Sequence, residues 1–234
     1  MIRLRPFLVG LVVGLGVLAI SAPVAAQWTG SRIGQNAKKK DPDAVMRVTA
    51  ECIAARGPAY AYEILDALPG SEEEFRIIRR NEGDISLCMG SSDKLAVGGV
   101  EMAFTARGLR PMLAEELLRR EFLQPVATAS LSAGDAWFLP QLAMARDANA
   151  SADYAYLSYL EFGDCVVAGD PASALDFLKA EPDSQAASKA LGELMPALSP
   201  CISNGETLEL TAKSLRFALT EPALHRIRAT ETTE

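Results

Sequence analysis

The chain has 234 residues, of which 23 are basic, 30 are acidic and one is histidine. The acidic balance argues against nucleic acid as a partner, because nucleic-acid binding depends on clustered Lys and Arg side chains. The single histidine, His225, excludes a metal site built from several imidazoles and leaves nucleophilic catalysis with one candidate base and no neighbouring motif. We therefore predict no enzyme activity and no catalytic, cofactor-binding or metal-binding residue. Paired carboxylates carry no sequence signature, so a hydrolase that uses two acids stays open as an alternative.

The first 26 residues have the features of a secretory signal. Arg3 and Arg5 give a positively charged start, residues 7–20 form an apolar run of 14, and small residues precede a cleavage point after Ala26. An uncleaved anchor is the alternative, but crossing a hydrocarbon core takes about 20 apolar residues. We predict a periplasmic or secreted protein that meets the membrane only through this segment. Without the signal the chain has 21 basic and 30 acidic residues, a net charge of −9.

Residues 27–40 lack hydrophobic periodicity and are predicted to form a disordered linker. The run from Lys38 to Lys40 is typical of a solvated segment. The alternative is that these lysines contact an anionic lipid or a cell-wall polymer.

The four cysteines form two pairs with the same spacing, because Cys52 and Cys88 are 36 positions apart and so are Cys165 and Cys201. Zinc sites usually contain closer Cys pairs, and an exported protein folds in an oxidising compartment, so disulfides are the default. An offset of 113 places the first pair on the second and gives nine identities over the twenty positions from Cys52 to Ser71. We interpret this match as an internal duplication, which predicts that each bridge forms within its own copy.

The first repeat is predicted to span residues 41–122 and to begin with two short helices. Asp41 and Pro42 are a typical N-cap and first helical residue, and Pro58 opens the second helix, which ends at Pro69. The residues that share one face of the first helix at helical spacing are Val45, Val48, Cys52 and Ala55.

A third helix is predicted to start with a capping box formed by Ser71 and Glu74. The run from Glu72 to Glu74 also invites a metal or catalytic interpretation, but helix capping and the helix dipole account for it. Phe75 and Ile78 are predicted to face the core, and the first disulfide then joins the first helix to the end of the third.

Each copy is predicted to close with one or two terminal helices, because Leu109, Leu113 and Leu117 form an apolar stripe at helical spacing. Pro111 and Pro222 occupy different aligned positions, so a break between the terminal helices should shift from one copy to the other. Seven extra residues in the first copy include Gly98 and Gly99, which we interpret as a loop because the flanking pattern of a phosphate-binding loop is missing.

The terminal segments match at an offset of 106, which aligns Leu109 and Arg110 with Leu215 and Arg216 in the pattern L-R-x-x-L-x-E-x-x-L. Together with the spaced Cys pairs and the P-x-A-x-x-L-L-like second helix, this ending resembles small exported proteins of alpha-proteobacteria. Those proteins have no assigned activity, so the resemblance implies export and no particular function.

Residues 123–151 connect the two repeats, and this length is unusual for a structureless loop in a compact protein. Either a short helix forms over residues 139–146 and packs on a repeat, or Trp137 and Phe138 are exposed as a docking patch.

The second repeat, residues 152–228, begins with closely spaced tyrosines. Tyr156 and Tyr159 either form a half-buried helix face or line a ligand groove, and with Trp137 and Phe138 they make up the candidate docking patch. Residues 229–234 are predicted to be a disordered tail.

These patterns predict an all-α protein made of two tandem, homologous helical bundles, each with its own disulfide. The predicted function is binding of a protein or peptide of the cell envelope, without a cofactor. The alternative is a carrier of a lipid or another apolar small molecule.

Overall fold

The described part of the chain is entirely helical, which confirms the all-α prediction. The computed structural model describes residues 42–90, 106–121, 131, 134–147, 151–202 and 210–231. The predicted signal segment, the linker and the Gly98-Gly99 loop lie outside the described residues.

The helices follow one another with short connections. Those before the connector are α1 (Pro42–Arg56), α2 (Pro58–Asp66), α3 (Glu72–Arg80), α4 (Glu82–Gly90) and α5 (Ala106–Glu121). The connector contributes α6 (Leu139–Asp147). The remaining helices are α7 (Ser151–Gly169), α8 (Pro171–Lys179), α9 (Gln185–Leu198), which leads into a 3₁₀ turn (Ser199–Cys201), and α10 (Ala212–Glu231).

The two predicted disulfides are confirmed. Cys52 is bonded to Cys88 and Cys165 to Cys201, with Cα–Cα distances of 5.5 and 5.7 Å. The first bridge joins α1 to α4 rather than to the end of α3, because the helix is interrupted at Asn81 and a separate helix, α4, carries Cys88. The second joins α7 to the 3₁₀ turn. Two disulfides indicate an oxidising environment outside the cytoplasm.

At two pairs of positions that are 113 apart, the backbone adopts similar conformations. The residues before α2 and α8, Gly57 and Asp170, both have φ of −143°. Gly70 and Asp183 both have positive φ, 76° and 61°, in the turns that precede α3 and α9. Asp is one of the few residues besides Gly that enter this left-handed region at modest cost. The two turns are therefore built alike although their sequences differ.

The core is shared by both predicted repeats. The centre of the fold is the pair α5 and α10, which pack against each other, while α5 also packs on α1 and α10 on α7. The apolar cluster between them includes Leu113 and Leu117 of α5 as well as Leu219 and Leu224 of α10. Gly163 lets α7 approach α10 closely, because a Cβ at this position would overlap the backbone carbonyl of Ala218.

Three details of the predicted helices are wrong. Pro111 and Pro222 do not break the terminal segments, since α5 and α10 each run through their proline as one helix. Both prolines are buried among core residues. Tertiary packing of the helix therefore outweighs the cost of a proline inside it. Phe75 is 47% exposed, and Ile77 takes its place in the core, because the buried Glu74 turns that side of α3 inward. Finally, α10 continues to Glu231, into the predicted disordered tail.

Candidate functional site

The connector helix α6 lies on α7. Its inner side chains, Phe138, Leu142 and Ala145, form a small cluster with Leu157 and Leu160 of α7. Phe138 is completely buried immediately before the helix, and its carbonyl accepts the backbone N–H of Leu142 at 3.0 Å. The predicted short helix that packs on a repeat is therefore present.

Two polar contacts and one ring stack fix the position of α6. Gln141 donates its side-chain N–H to the carbonyl of Pro69 at 2.8 Å. The Trp137 ring stacks on His225 of α10, with 3.6 Å between ring centroids and 17° between ring planes. At the other end of α6, Arg146 donates to both oxygens of Glu161 of α7 at 2.9 and 2.7 Å. The helix is thus attached to α7, to α10 and to the turn between α2 and α3.

The only histidine of the chain has a structural role. Its Nε2 lies 3.1 Å from the carbonyl oxygen of Leu65 at the end of α2. Burial lowers the pKa of His225, so the ring is neutral at pH 7 and donates this N–H to the carbonyl. One turn further along α10, Arg228 donates to both oxygens of Asp66 at 2.5 and 3.2 Å. These bonds join α10 to the C-terminal end of α2.

Next to His225, the Arg110 side chain is fully buried and uses all its donors. Its Nη1 bonds the carbonyl of Ile64 and a Glu74 oxygen, both at 2.7 Å. Its Nη2 bonds the Leu65 carbonyl at 2.9 Å and a Glu221 oxygen, and Nε bonds the same carboxylate at 3.1 Å. The carbonyls at the end of a helix carry a partial negative charge, which a cation offsets. Arg110 therefore caps α2 and pairs with two buried acids.

The two acids come from different parts of the chain. Glu74, on α3, also accepts the backbone N–H of Gly70 at 2.7 Å, while Glu221, on α10, accepts the Tyr156 hydroxyl at 3.0 Å. Burial would lower the pKa of Arg110, but Glu221 and the other acid outweigh it, so the guanidinium stays charged. Burial, together with Glu221, raises the pKa of Tyr156 well above its usual value. The cluster thus binds α2, α3, α5, α7 and α10 together.

Arg216, which aligns with Arg110, caps α8 in the same way. It donates to the carbonyls of Leu178 at 2.7 Å, Phe177 at 2.8 Å and Ala180 at 2.7 Å. Burial lowers the pKa of this guanidinium. Its hydrogen bonds within the described part of the chain go to backbone carbonyls and to no carboxylate. The capping contact recurs in the second half, but the pair of acids does not.

The outward side of α6 is apolar. Four positions, Leu139, Pro140, Ala143 and Met144, are exposed, and Met144 is 61% accessible. At 100° per residue they fall within a sector of about 140°, which the position of Asp147 at the end of α6 also enters, while Arg146 lies about 20° outside it. An exposed helix face in a soluble protein is normally polar. We call these four residues the α6 surface.

The α6 surface differs from the predicted docking patch. Phe138 is 0% exposed and Trp137 lies against His225, so the prediction that these two rings are exposed for docking is wrong. Their apolar area finds a closer partner in α7 and α10. Tyr156 is bound to Glu221, and Tyr159 is packed against the main core. Sequence reasoning placed the helix correctly but missed its exposed side. The signal was available, since residues 139, 140, 143 and 144 are all apolar.

Comparisons with protein-family models, with curated proteins and with solved structures found no match to this chain. The site must be interpreted from its own geometry. No helix in the described ranges is long and apolar enough to cross a bilayer. Within those same ranges, no three side chains of the His, Cys, Asp or Glu type are grouped so that they could hold a metal ion. Asp164, one of two acids that precede a cysteine, is paired with Arg226 at 2.7 Å.

Proposed function

We propose that this is an exported, non-enzymatic helical protein, periplasmic or secreted, that binds a protein or peptide through the α6 surface. The observation that carries the proposal is a group of four exposed apolar side chains on a helix that is held in place from beneath. Apolar surface that water contacts in the free protein gains free energy when a partner covers it, about 25 cal/mol per Å².

Helix α3 offers a contrast to the α6 surface. The outward side of α3 carries Glu72, Glu73, Arg76, Arg79 and Arg80, all exposed. The α6 surface has no such charges, and α6 is anchored by Gln141, Trp137 and Arg146 on its other sides. A rigid helix pays little conformational entropy when a partner binds, which favours recognition.

The absence of an enzymatic role is supported by the use of the reactive residue types. His225, Glu74 and Glu221 are all engaged in bonds that join helices. The proposal also includes the internal duplication. It is supported by the matching turns at Gly70 and Asp183, and by the helix ends that Arg110 and Arg216 cap.

The test uses two exposed methionines as a matched pair. Peptides selected from a display library against the oxidised protein are titrated by fluorescence anisotropy against wild type, Met144→Asp and Met195→Asp. Met195 lies on α9 and is 55% exposed, so both substitutions place one charge at a similarly accessible position. A charge within the α6 surface should weaken binding about tenfold or more, roughly 1.4 kcal/mol, whereas Met195→Asp should bind as wild type does.

Thermal unfolding followed by circular dichroism checks that both variants are folded. Peptides that bind Met144→Asp as tightly as wild type would contradict the proposal. The carrier alternative has a separate readout, since native mass spectrometry of protein purified from its source would show a bound lipid or other apolar molecule.

A further inference from the structure

The two disulfides have the same spacing but differ in their access to solvent. Cys88 is completely buried in the main core and Cys52 is partly buried. In the second bridge, Cys165 is exposed on α7 and Cys201 is partly buried at the end of the 3₁₀ turn. Cys165 is therefore the most accessible of the four cysteine residues to a reagent in solution.

We infer that the Cys165–Cys201 bridge is a site of thiol–disulfide exchange with an external dithiol, and that the Cys52–Cys88 bridge is not. In the first step a thiolate of the dithiol attacks Cys165 Sγ. The bond between the two protein sulfurs breaks, and Cys201 leaves as a thiolate that takes up a proton from water. In the second step the other thiol of the reagent, as its thiolate, attacks the mixed disulfide and releases Cys165. The protein bridge gains two electrons and the dithiol becomes a disulfide.

The identity of the leaving sulfur favours this direction. Exchange is faster when the departing thiolate is stable, and burial in apolar surroundings destabilises a thiolate. Attack on Cys52 would expel the Cys88 sulfur into the core, where it has no solvent contact. Attack on Cys88 itself is blocked by the same burial. The Cys201 thiolate is only partly buried, so neither obstacle applies to the second bridge.

Charges near Cys165 do not oppose an approaching thiolate. Two acids lie close to it on α7, but Asp164 accepts hydrogen bonds from Nε and Nη2 of Arg226, both at 2.7 Å. Glu161, one turn earlier, is paired with Arg146 at 2.7 Å. Each acid is neutralised by its arginine, so repulsion of an anionic nucleophile is weak.

Opening this bridge would release the 3₁₀ turn that follows α9 without dismantling the fold. Leu194 and Leu198 hold α9 in the core by apolar contacts that do not involve the sulfurs. The 3₁₀ turn over Ser199–Cys201 loses its covalent link to α7. The site is independent of the α6 surface, and it would let a dithiol partner alter one end of the second half alone.

The experiment exposes the folded, oxidised protein to dithiothreitol at about pH 8, where a useful fraction of the reagent is thiolate. Samples are quenched with N-ethylmaleimide and each bridge is quantified by peptide mass mapping. Alkylated Cys165 and Cys201 should accumulate at least about tenfold faster than alkylated Cys52 and Cys88, so the first bridge is an internal control. In concentrated urea the two rates should converge, because the bridges close loops of equal length.

A second arm identifies the attacked sulfur. Glutathione replaces dithiothreitol, and the mixed disulfide that forms is trapped and mapped. The adduct is expected on Cys165, with Cys201 carrying the alkyl group. Equal reduction rates for both bridges in the folded protein, or an adduct mainly on Cys201, would overturn the inference.

Discussion

Replacing Arg110 by Met should be one of the most damaging single changes in this protein. The substitution keeps the volume of the side chain but leaves Glu74 and Glu221, both 0% exposed, without their cation. Breaking a buried ion pair from one side costs about 3–5 kcal/mol. The Ile64 carbonyl also loses its hydrogen bond from Arg110, which adds about 1 kcal/mol, while the Leu65 carbonyl keeps its bond from His225. The expected total is about 4–6 kcal/mol.

Arg216→Met is the matched control, because Arg216 occupies the aligned position in the second half. Its removal leaves three carbonyls without a donor but strands no bonded carboxylate. At about 1 kcal/mol for each hydrogen bond the loss is about 3 kcal/mol. Both variants are unfolded by urea with their disulfides intact, and unfolding is followed by far-ultraviolet circular dichroism.

The size of the loss separates the two effects. Arg110→Met leaves two buried carboxylates unpaired, so its loss of stability should exceed that of Arg216→Met by about 1–3 kcal/mol. Equal losses for the two variants would refute the assignment of Arg110 as the cation that holds two buried acids.

Two further predictions concern packing and acid sensitivity. Gly163→Ala should destabilise the fold by more than about 1 kcal/mol, because the new Cβ overlaps the Ala218 carbonyl. Gly192→Ala in α9 places its Cβ in open space and should stabilise the fold by about 0.5–1 kcal/mol. Urea unfolding measures both changes. The lowered pKa of His225 means that the unfolded chain takes up a proton first as pH falls below about 6.5. Wild type should therefore lose at most about 1.4 kcal/mol from this group by pH 5.5, and His225→Gln should lack that component.

The parts of the fold that depend on local chemistry could be predicted from the sequence. Pro42 and Pro58 begin helices at the predicted positions, and Ser71 accepts the backbone N–H of Glu74 at 3.2 Å as a helix cap should. The disulfide pairing followed from the equal spacing of the cysteines. These features each involve a few neighbouring residues or a repeated pattern, so a single sequence contains enough information.

The polar cluster could not be predicted, because its members are distant in sequence and resemble surface residues. Glu74 and Glu221 lie 36 and 111 positions from Arg110. The position of Glu74 in the first turn of α3 accounted for its charge, so nothing pointed to a second role. The same limit applies to α6. The length of the connector made a short helix one of two alternatives, but which side would be exposed depended on contacts with Pro69, His225 and Glu161.

The aligned residues explain why the two halves are joined so asymmetrically. Arginine is retained at both aligned positions, 110 and 216, and caps a helix in each half, but Ala187 stands where the first half has Glu74. The acids five residues after the two arginines also have different partners. Glu221 pairs with Arg110 of the first half, whereas Glu115 pairs with Arg47 of its own half at 3.1 Å. If the two contacts were alike, each arginine would bond residues of its own half only. Instead, the ion pair between Arg110 and Glu221 places a residue of α10 in the centre of the first half, beside the contacts that hold α6.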